Sequence, residues 1–227
     1  MRIILAGATG LVGGRVLDYL RARDDVTNVS TVSRRPLSGA DRKLDQIVAP
    51  ASEWAAHIAD LKCDVAVCCL GTTIKAAGSQ EAFAALDHKA VVAFAAACRA
   101  AGARQVLLVT SVGADAGSRN FYLSTKGKAE ADIRGLAFAR VDIFRPGLLN
   151  GQRPGPLRVG ERLAMAVSPL TDMLTPNVLS RYRSIPAQSV AHAIAGLTGA
   201  QEAGEFIHHN DDMQAIISKT DQVRVIG

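Results

Sequence analysis

At 227 residues and 48% hydrophobic, the chain can bury one sizeable core, and a single domain over 1–227 is expected. The formal charge of +5 suits an anionic small molecule, whereas scattered Lys and Arg and only 4% aromatic residues argue against a nucleic-acid surface. No apolar run approaches the roughly 20 residues of a membrane span, so no membrane partner is expected.

Arg2–Ala6 is a continuous apolar run of the kind buried in parallel sheets. Leu11–Arg21 then carries Leu11, Val12, Val16, Leu17 and Leu20 at helical spacing. Thr27–Ser33 reads as a β-branched strand, Gln46–Val48 as a short third strand and Ser52–Asp60 as a short helix. Asp64–Leu70 is a fourth strand. The alanine-rich stretch Gln80–Ala101 predicts one long helix stopped by Gly102. Gln105–Thr110 is a fifth strand, Asn120–Arg134 a helix ending near Gly135, and Phe138–Phe144 a sixth strand. Beyond Pro146 the pattern loosens. Gly147–Gly160 reads as a loop, Glu161–Leu174 as helical and broken by Pro169, Ala187–Leu197 as a helix, Glu205–His208 as a last strand and Asp212–Thr220 as a final helix.

Strands alternating with helices predict an α/β fold with a doubly wound parallel sheet. Residues 147–227 are too few for a second domain and are expected to form a short substrate lid on the same sheet. In such sheets ligands bind beyond the carboxyl ends of the strands, at the switch point. The motifs below all fall at those ends.

The first motif is Gly7-Ala8-Thr9-Gly10-Leu11-Val12-Gly13, between the first strand and the first helix. Glycines there let the backbone approach a pyrophosphate, which the helix N-terminus stabilises, and Thr9 adds a hydroxyl. Enzymes that use NAD place an acid about 20 residues further on to hold the ribose 2′-hydroxyl. This chain has Ser33 there, followed by Arg34-Arg35, and two guanidiniums suit a 2′-phosphate. The cofactor expected is therefore NADP(H). The second motif is Tyr122-Leu123-Ser124-Thr125-Lys126, with Ser111 eleven residues upstream at the end of the fifth strand. Residues four apart share a helical face. A phenol is a poor acid–base group at neutral pH until a neighbouring cation favours its ionised form. The catalytic set expected is Tyr122 as proton donor, Ser111 as a hydrogen bond to the same carbonyl oxygen, and Lys126 beside the phenol and on the nicotinamide ribose.

Other clusters carry less. Cys63, Cys68, Cys69 and Cys98 include no C-x-x-C pair and read as small buried thiols, not as metal ligands or disulfides. His208-His209-Asn210-Asp211-Asp212 reads as a polar strand end and helix cap, so no metal is expected. Asp87 and His88 on the long helix read as solvated or packed rather than catalytic. With Met1-Arg2 leading straight into a strand, a soluble cytoplasmic monomer or homodimer is the expectation.

These residues resemble the atypical short-chain dehydrogenase/reductase superfamily, and within it the Tat-interacting oxidoreductase-like group, over most of the chain. The stretches that carry the resemblance are Cys68-Cys69-Leu70-Gly71-Thr72-Thr73, Ser111-Val112-Gly113-Ala114-Asp115, Tyr122 to Lys126 with Gly127, and Phe144-Arg145-Pro146-Gly147. The resemblance implies that Gly7, Thr9, Gly10, Leu11 and Val12 hold the pyrophosphate and that Arg34 and Arg35 hold the 2′-phosphate. It implies that Leu70, Gly71 and Thr72 line the adenosine side, and that Pro146, Gly147 and Leu148 close over the nicotinamide beside Tyr122 and Lys126. One departure is visible: related proteins often carry an Asp after the third strand to hold the adenine amine, and this chain has Val48-Ala49-Pro50.

Three functional readings follow. The first is an NADP-dependent oxidoreductase acting on an unknown carbonyl or alcohol. The second is an NADPH-binding regulator or sensor with little turnover. The third is a nucleotide-sugar epimerase or dehydratase, although such relatives usually carry a larger C-terminal substrate domain. Arg153, Arg158, Arg181 and Arg183 in the lid segment suggest an anionic group on the substrate.

Overall fold

The structure, a computed structural model, describes residues 1–39, 41–151 and 182–226. Seven strands form one parallel sheet: β1 (Arg2–Ala6), β2 (Asn28–Ser33), β3 (Leu44–Val48), β4 (Val65–Cys68), β5 (Gln105–Val109), β6 (Arg140–Phe144) and β9 (Gly204–His208). Their spatial order is β3-β2-β1-β4-β5-β6-β9. The chain winds outward from β1 to β3, then returns to place β4 on the other side of β1. The crossovers therefore diverge between β1 and β4 and leave a crevice at the carboxyl ends of those strands. The doubly wound α/β expectation matches this architecture.

Both faces of the sheet are covered, so β1, β4, β5 and β6 are buried along almost their whole length; β1, β4 and β5 are mainly apolar, whereas β6 also buries Arg140 and Asp142. On one face α1 (Leu11–Arg21) packs with α7 (Ala187–Leu197) in a core that includes Val16, Leu20, Val190, Ile194 and Phe144. On the other, α2 (Trp54–Ala59), α5 (Val91–Ala100) and α6 (Phe121–Arg134) bury Trp54, Ile58, Phe94, Cys98 and Ile133. The last helix is α8 (Asn210–Ile226).

Several elements differ from the sequence expectation. The long helix over Gln80–Ala101 is α4 (Gln80–Ala84), a π-helical segment (Ala85–Ala90) and α5. Alanine-rich sequence has no feature that marks where a helix widens, and such segments are frequent at functional sites. A single turn, α3 (Ile74–Ala77), precedes it; Thr73 caps it and Gly78 ends it at φ +92°, and four residues are too few to display a helical period. Two short strands, β7 (Leu149–Asn150) and β8 (Ile185–Pro186), pair in parallel. Leu149 and Asn150 thus depart from the loop expected over Gly147–Gly160, because pairing with residues 36 positions away leaves no local pattern. The helix expected over Glu161–Leu174 lies outside the described residues, as do Arg153, Arg158 and Arg181.

Candidate functional site

The turn after β1 is shaped by close backbone approach. Gly7 has φ +88°, and a Cβ there would lie 2.5 Å from the Cys69 carbonyl at the end of β4, so no other residue fits. The Gly10 N–H donates to the Gly7 carbonyl at 2.9 Å, and α1 begins with no side chain capping its N-terminus. Exposed N–H groups and the positive end of the helix dipole are what an anionic phosphate requires.

Gly7, Thr9 and Gly10 line a cleft together with Cys69, Leu70 and Gly71, which follow β4. Val32, Ser33, Arg34 and Arg35 at the end of β2, with Trp54 and Leu86, complete its lining. Arg34 and Arg35 are exposed, and neither pairs with a carboxylate among the described residues. Of the expected cofactor residues, Val12 is buried in the core and Leu11 packs against it, so these two offer backbone rather than side chain. Sequence reasoning missed Trp54 and Leu86, which come from α2 and the π-helical segment and carry no motif.

Helix α6 starts at Asn120, whose Oδ1 accepts the Leu123 N–H at 3.1 Å. Tyr122 and Lys126 follow on its first turns. The Tyr122 ring packs against buried Phe83, with centroids 5.4 Å apart. Lys126 is 4% exposed, and its Nζ lies 2.6 Å from Oδ1 of Asp87, which is 1% exposed. The π-helical segment carries Asp87, and its carboxylate also accepts the Thr72 N–H at 3.0 Å. Burial pushes the Asp87 carboxyl above its ordinary range, against the opposing pull of the Lys126 ammonium and the Thr72 N–H. Asp87 is thus packed rather than solvated, and it packs onto the expected catalytic lysine. A Cβ on Gly71 would lie 3.6 Å from Lys126 Nζ and 3.8 Å from the Asp87 carboxylate, so bare backbone at Gly71 covers this pair on the cleft side.

One turn beyond Lys126, Glu130 is fully buried and accepts hydrogen bonds from Thr110 Oγ1 at 2.7 Å and from the Arg145 guanidinium. It ties α6 to the ends of β5 and β6. Ser111 follows Thr110 and donates to the Val112 carbonyl at 3.3 Å. The only sequence signal for Glu130 is its place four residues after Lys126.

The Pro146 carbonyl accepts the Val112 N–H at 3.0 Å, and the Gly147 N–H donates to Asn210 Oδ1 at 3.2 Å. These bonds hold the segment after β6 against the Ser111 loop and α8, while Leu148 is exposed. The Arg183 carbonyl accepts from Asn210 Nδ2 at 2.8 Å. The described His, Cys, Asp and Glu residues form no cluster able to hold a metal ion. His208 is buried against Asp142 instead, and Asp212 accepts the His209 N–H, as a strand end and helix start require. Burial pushes the Cys68 thiol up to about 12, which keeps it protonated at neutral pH. No helix among the described residues is long and apolar enough to cross a membrane.

A family model described as NAD(P)H-binding matches residues 7–199. The mitochondrial protein FMP52 of Meyerozyma guilliermondii is 41% identical over 155 residues, 67% of each chain. That of Coccidioides immitis is 31% identical over 219 residues, 88% of this chain and 89% of the relative. Among solved structures, MoeE5 in complex with UDP-glucose and NAD has a TM-score of 0.70 at 18% identity, covering 98% of this chain and 82% of that one. DesIV, a dTDP-glucose 4,6-dehydratase of Streptomyces venezuelae with NAD and TYD bound, has a TM-score of 0.66 at 15% identity, covering 97% and 81%. At these identities the structural likeness establishes the fold.

Two expectations change. These curated relatives bear the FMP52 name and not that of the Tat-interacting group, so the resemblance stands for the wider NAD(P)-binding family. The cytoplasmic expectation is overturned, since the relatives are named as mitochondrial proteins. It rested on the strand at Arg2 and the lack of a long apolar run, and neither bears on a receptor-read address. A family match over residues 7–199, joined by relatives above 30% identity along two thirds or more of their length, makes this chain a member of the NAD(P)H-binding family.

Proposed function

We propose that the protein is an NADP-dependent oxidoreductase of the short-chain dehydrogenase/reductase type, acting on a carbonyl or alcohol. The observation that carries this reading is the buried Lys126–Asp87 pair, one helical turn from Tyr122 and beneath the cleft edge at Gly71. The cleft suits a dinucleotide: the uncapped start of α1 offers donors to the pyrophosphate, and Arg34 and Arg35 offer guanidiniums to a 2′-phosphate. Leu70, Gly71 and Thr72 are assigned to the adenosine side, and Pro146, Gly147 and Leu148 to the nicotinamide side. When bound, the dinucleotide supplies or takes up the hydride.

The chain's own residues handle the proton. Tyr122 donates it to the substrate oxygen, Ser111 hydrogen-bonds that oxygen, and Lys126 stabilises the phenolate that Tyr122 leaves behind. Asp87 fixes the lysine and, through Thr72, the turn after β4. Residues 147–227 contribute the substrate side. The names of the FMP52 relatives favour a mitochondrial location for this chain as well, which fractionation of tagged protein would test.

Two measurements test the reading. Tyr122→Phe should abolish NADPH-dependent reduction across a carbonyl panel while leaving NADPH affinity within about twofold, because only the phenolic proton is lost. Undiminished turnover would remove Tyr122 from the mechanism, and tight NADPH binding with no turnover by the unaltered chain would favour the sensor reading. Replacing Arg34 and Arg35 with Ala should cost NADPH roughly tenfold or more in affinity per arginine and leave NADH unchanged, as charge-assisted bonds predict. Equal affinities for the two dinucleotides in the unaltered chain would defeat the choice of NADP. The epimerase or dehydratase reading draws on fold neighbours such as MoeE5 and DesIV, and NAD retained through purification would favour it.

A further inference from the structure

The end of the cleft between β2 and α2 differs chemically from the rest. Its lining there is Val32, Ser33, Trp54, Leu70 and Leu86, with Arg34 and Arg35 at the rim and no carboxylate. Three backbone carbonyls at the ends of β2 and β3, those of Ser33, Arg35 and Ala49, already hold protein donors. The Ser33 carbonyl takes the Ala49 N–H at 3.0 Å, and the Ala49 carbonyl takes the Trp54 Nε1–H at 2.9 Å. The Ser33 hydroxyl donates to the Arg35 carbonyl at 2.6 Å, so that carbonyl is engaged too. Trp54 itself is 3% exposed and held in place by its indole bond. A flat heteroaromatic base entering here meets apolar walls and cations. An exocyclic amino group on that base is a donor, and no Asp, Glu, Asn or Gln side chain lines this end of the cleft to accept from it.

We infer that the base end of the dinucleotide site recognises its base by packing against Val32, Leu70, Leu86 and Trp54 and leaves the exocyclic amino group unread, because no Asp, Glu, Asn or Gln side chain lines this end and the Arg35 carbonyl there already holds the Ser33 hydroxyl. The protein then accepts hypoxanthine in place of adenine. This rests on the NADPH-binding reading above, and the experiment separates the two.

The full chain is titrated calorimetrically with NADPH and with its deamino analogue, in which hypoxanthine replaces adenine. The emission of Trp54, the single tryptophan, is followed in parallel. A neutral hydrogen bond is worth roughly two- to tenfold in affinity. The expected result is a ratio of dissociation constants below threefold, with Trp54 quenched by both ligands. Binding of the deamino analogue threefold or more weaker than NADPH overturns the inference and leaves dinucleotide binding intact. Equal affinities with Trp54 emission unmoved by either ligand also overturn it, because the base then lies elsewhere. NADPH that produces neither heat nor quenching defeats the underlying reading and the inference with it.

Discussion

The carboxylate of Asp87 and the ammonium of Lys126 are withdrawn from water together, and each is tolerable only because of the other. Removing one partner leaves an uncompensated buried charge. Asp87→Ala should therefore destabilise the protein by about 3–5 kcal/mol in urea unfolding. The double variant Asp87→Ala/Lys126→Met should be no less stable than Asp87→Ala alone, since it leaves no orphan charge. Losses that simply add would show that the two groups are not energetically coupled. The sequence offers Tyr122 and Lys126 through their spacing, because four residues is a helical period. It offers nothing comparable for Asp87, 39 positions upstream of Lys126, whose inward turn arises in the π-helical segment.

Helix α6 holds the proposed chemistry at the element scale, with Tyr122, Lys126 and Glu130 on successive turns. Its distance from the loop after β5 is set at Gly127, where a Cβ would lie 2.2 Å from the Ala116 nitrogen and the Asp115 carbonyl carbon. These are backbone atoms and cannot swing aside. Gly127→Ala should cost about 1–3 kcal/mol or more in thermal unfolding, as overpacking does, and should lower turnover by displacing the loop that begins at Ser111. Native stability and native rates in this variant would show that the loop is free to shift. Periodic elements were legible with small boundary errors: Arg2–Ala6, Leu11–Arg21 and Ala187–Leu197 have the expected limits. The single turn α3, the two-residue strands β7 and β8 and the π-helical segment were not, because a period cannot be read from less than one repeat or from uniform alanine.

Across the whole molecule, the last strand is joined to the sheet through a buried polar cluster. Asp142 is fully buried and accepts from Gln105 Nε2 at 2.7 Å and from Arg140 at 2.7 and 2.8 Å, and it pairs with His208 Nε2 of β9 at 2.9 Å. Burial alone would raise its pKa, but the bonds from His208, Arg140 and Gln105 outweigh it and hold the carboxyl below its usual range. A lowered folded-state value contributes stability above the unfolded pKa of about 4, and that stability is lost as pH falls through the folded value. Asp142→Asn should cost about 3–5 kcal/mol at neutral pH, and the gap from the unaltered chain should close in acid below about pH 4. A gap that is constant with pH would mean that the charge of Asp142 contributes nothing. The sequence by itself determined the α/β alternation, the glycine turn and the basic end of β2, because each depends on neighbours within one element and the turn beside it. Only the tertiary structure decided that Asp87 meets Lys126, that Glu130 joins β5 to β6, and that Trp54 walls the cleft. Those pairings are made by parallel crossovers between residues far apart in the chain, and no local periodicity records them.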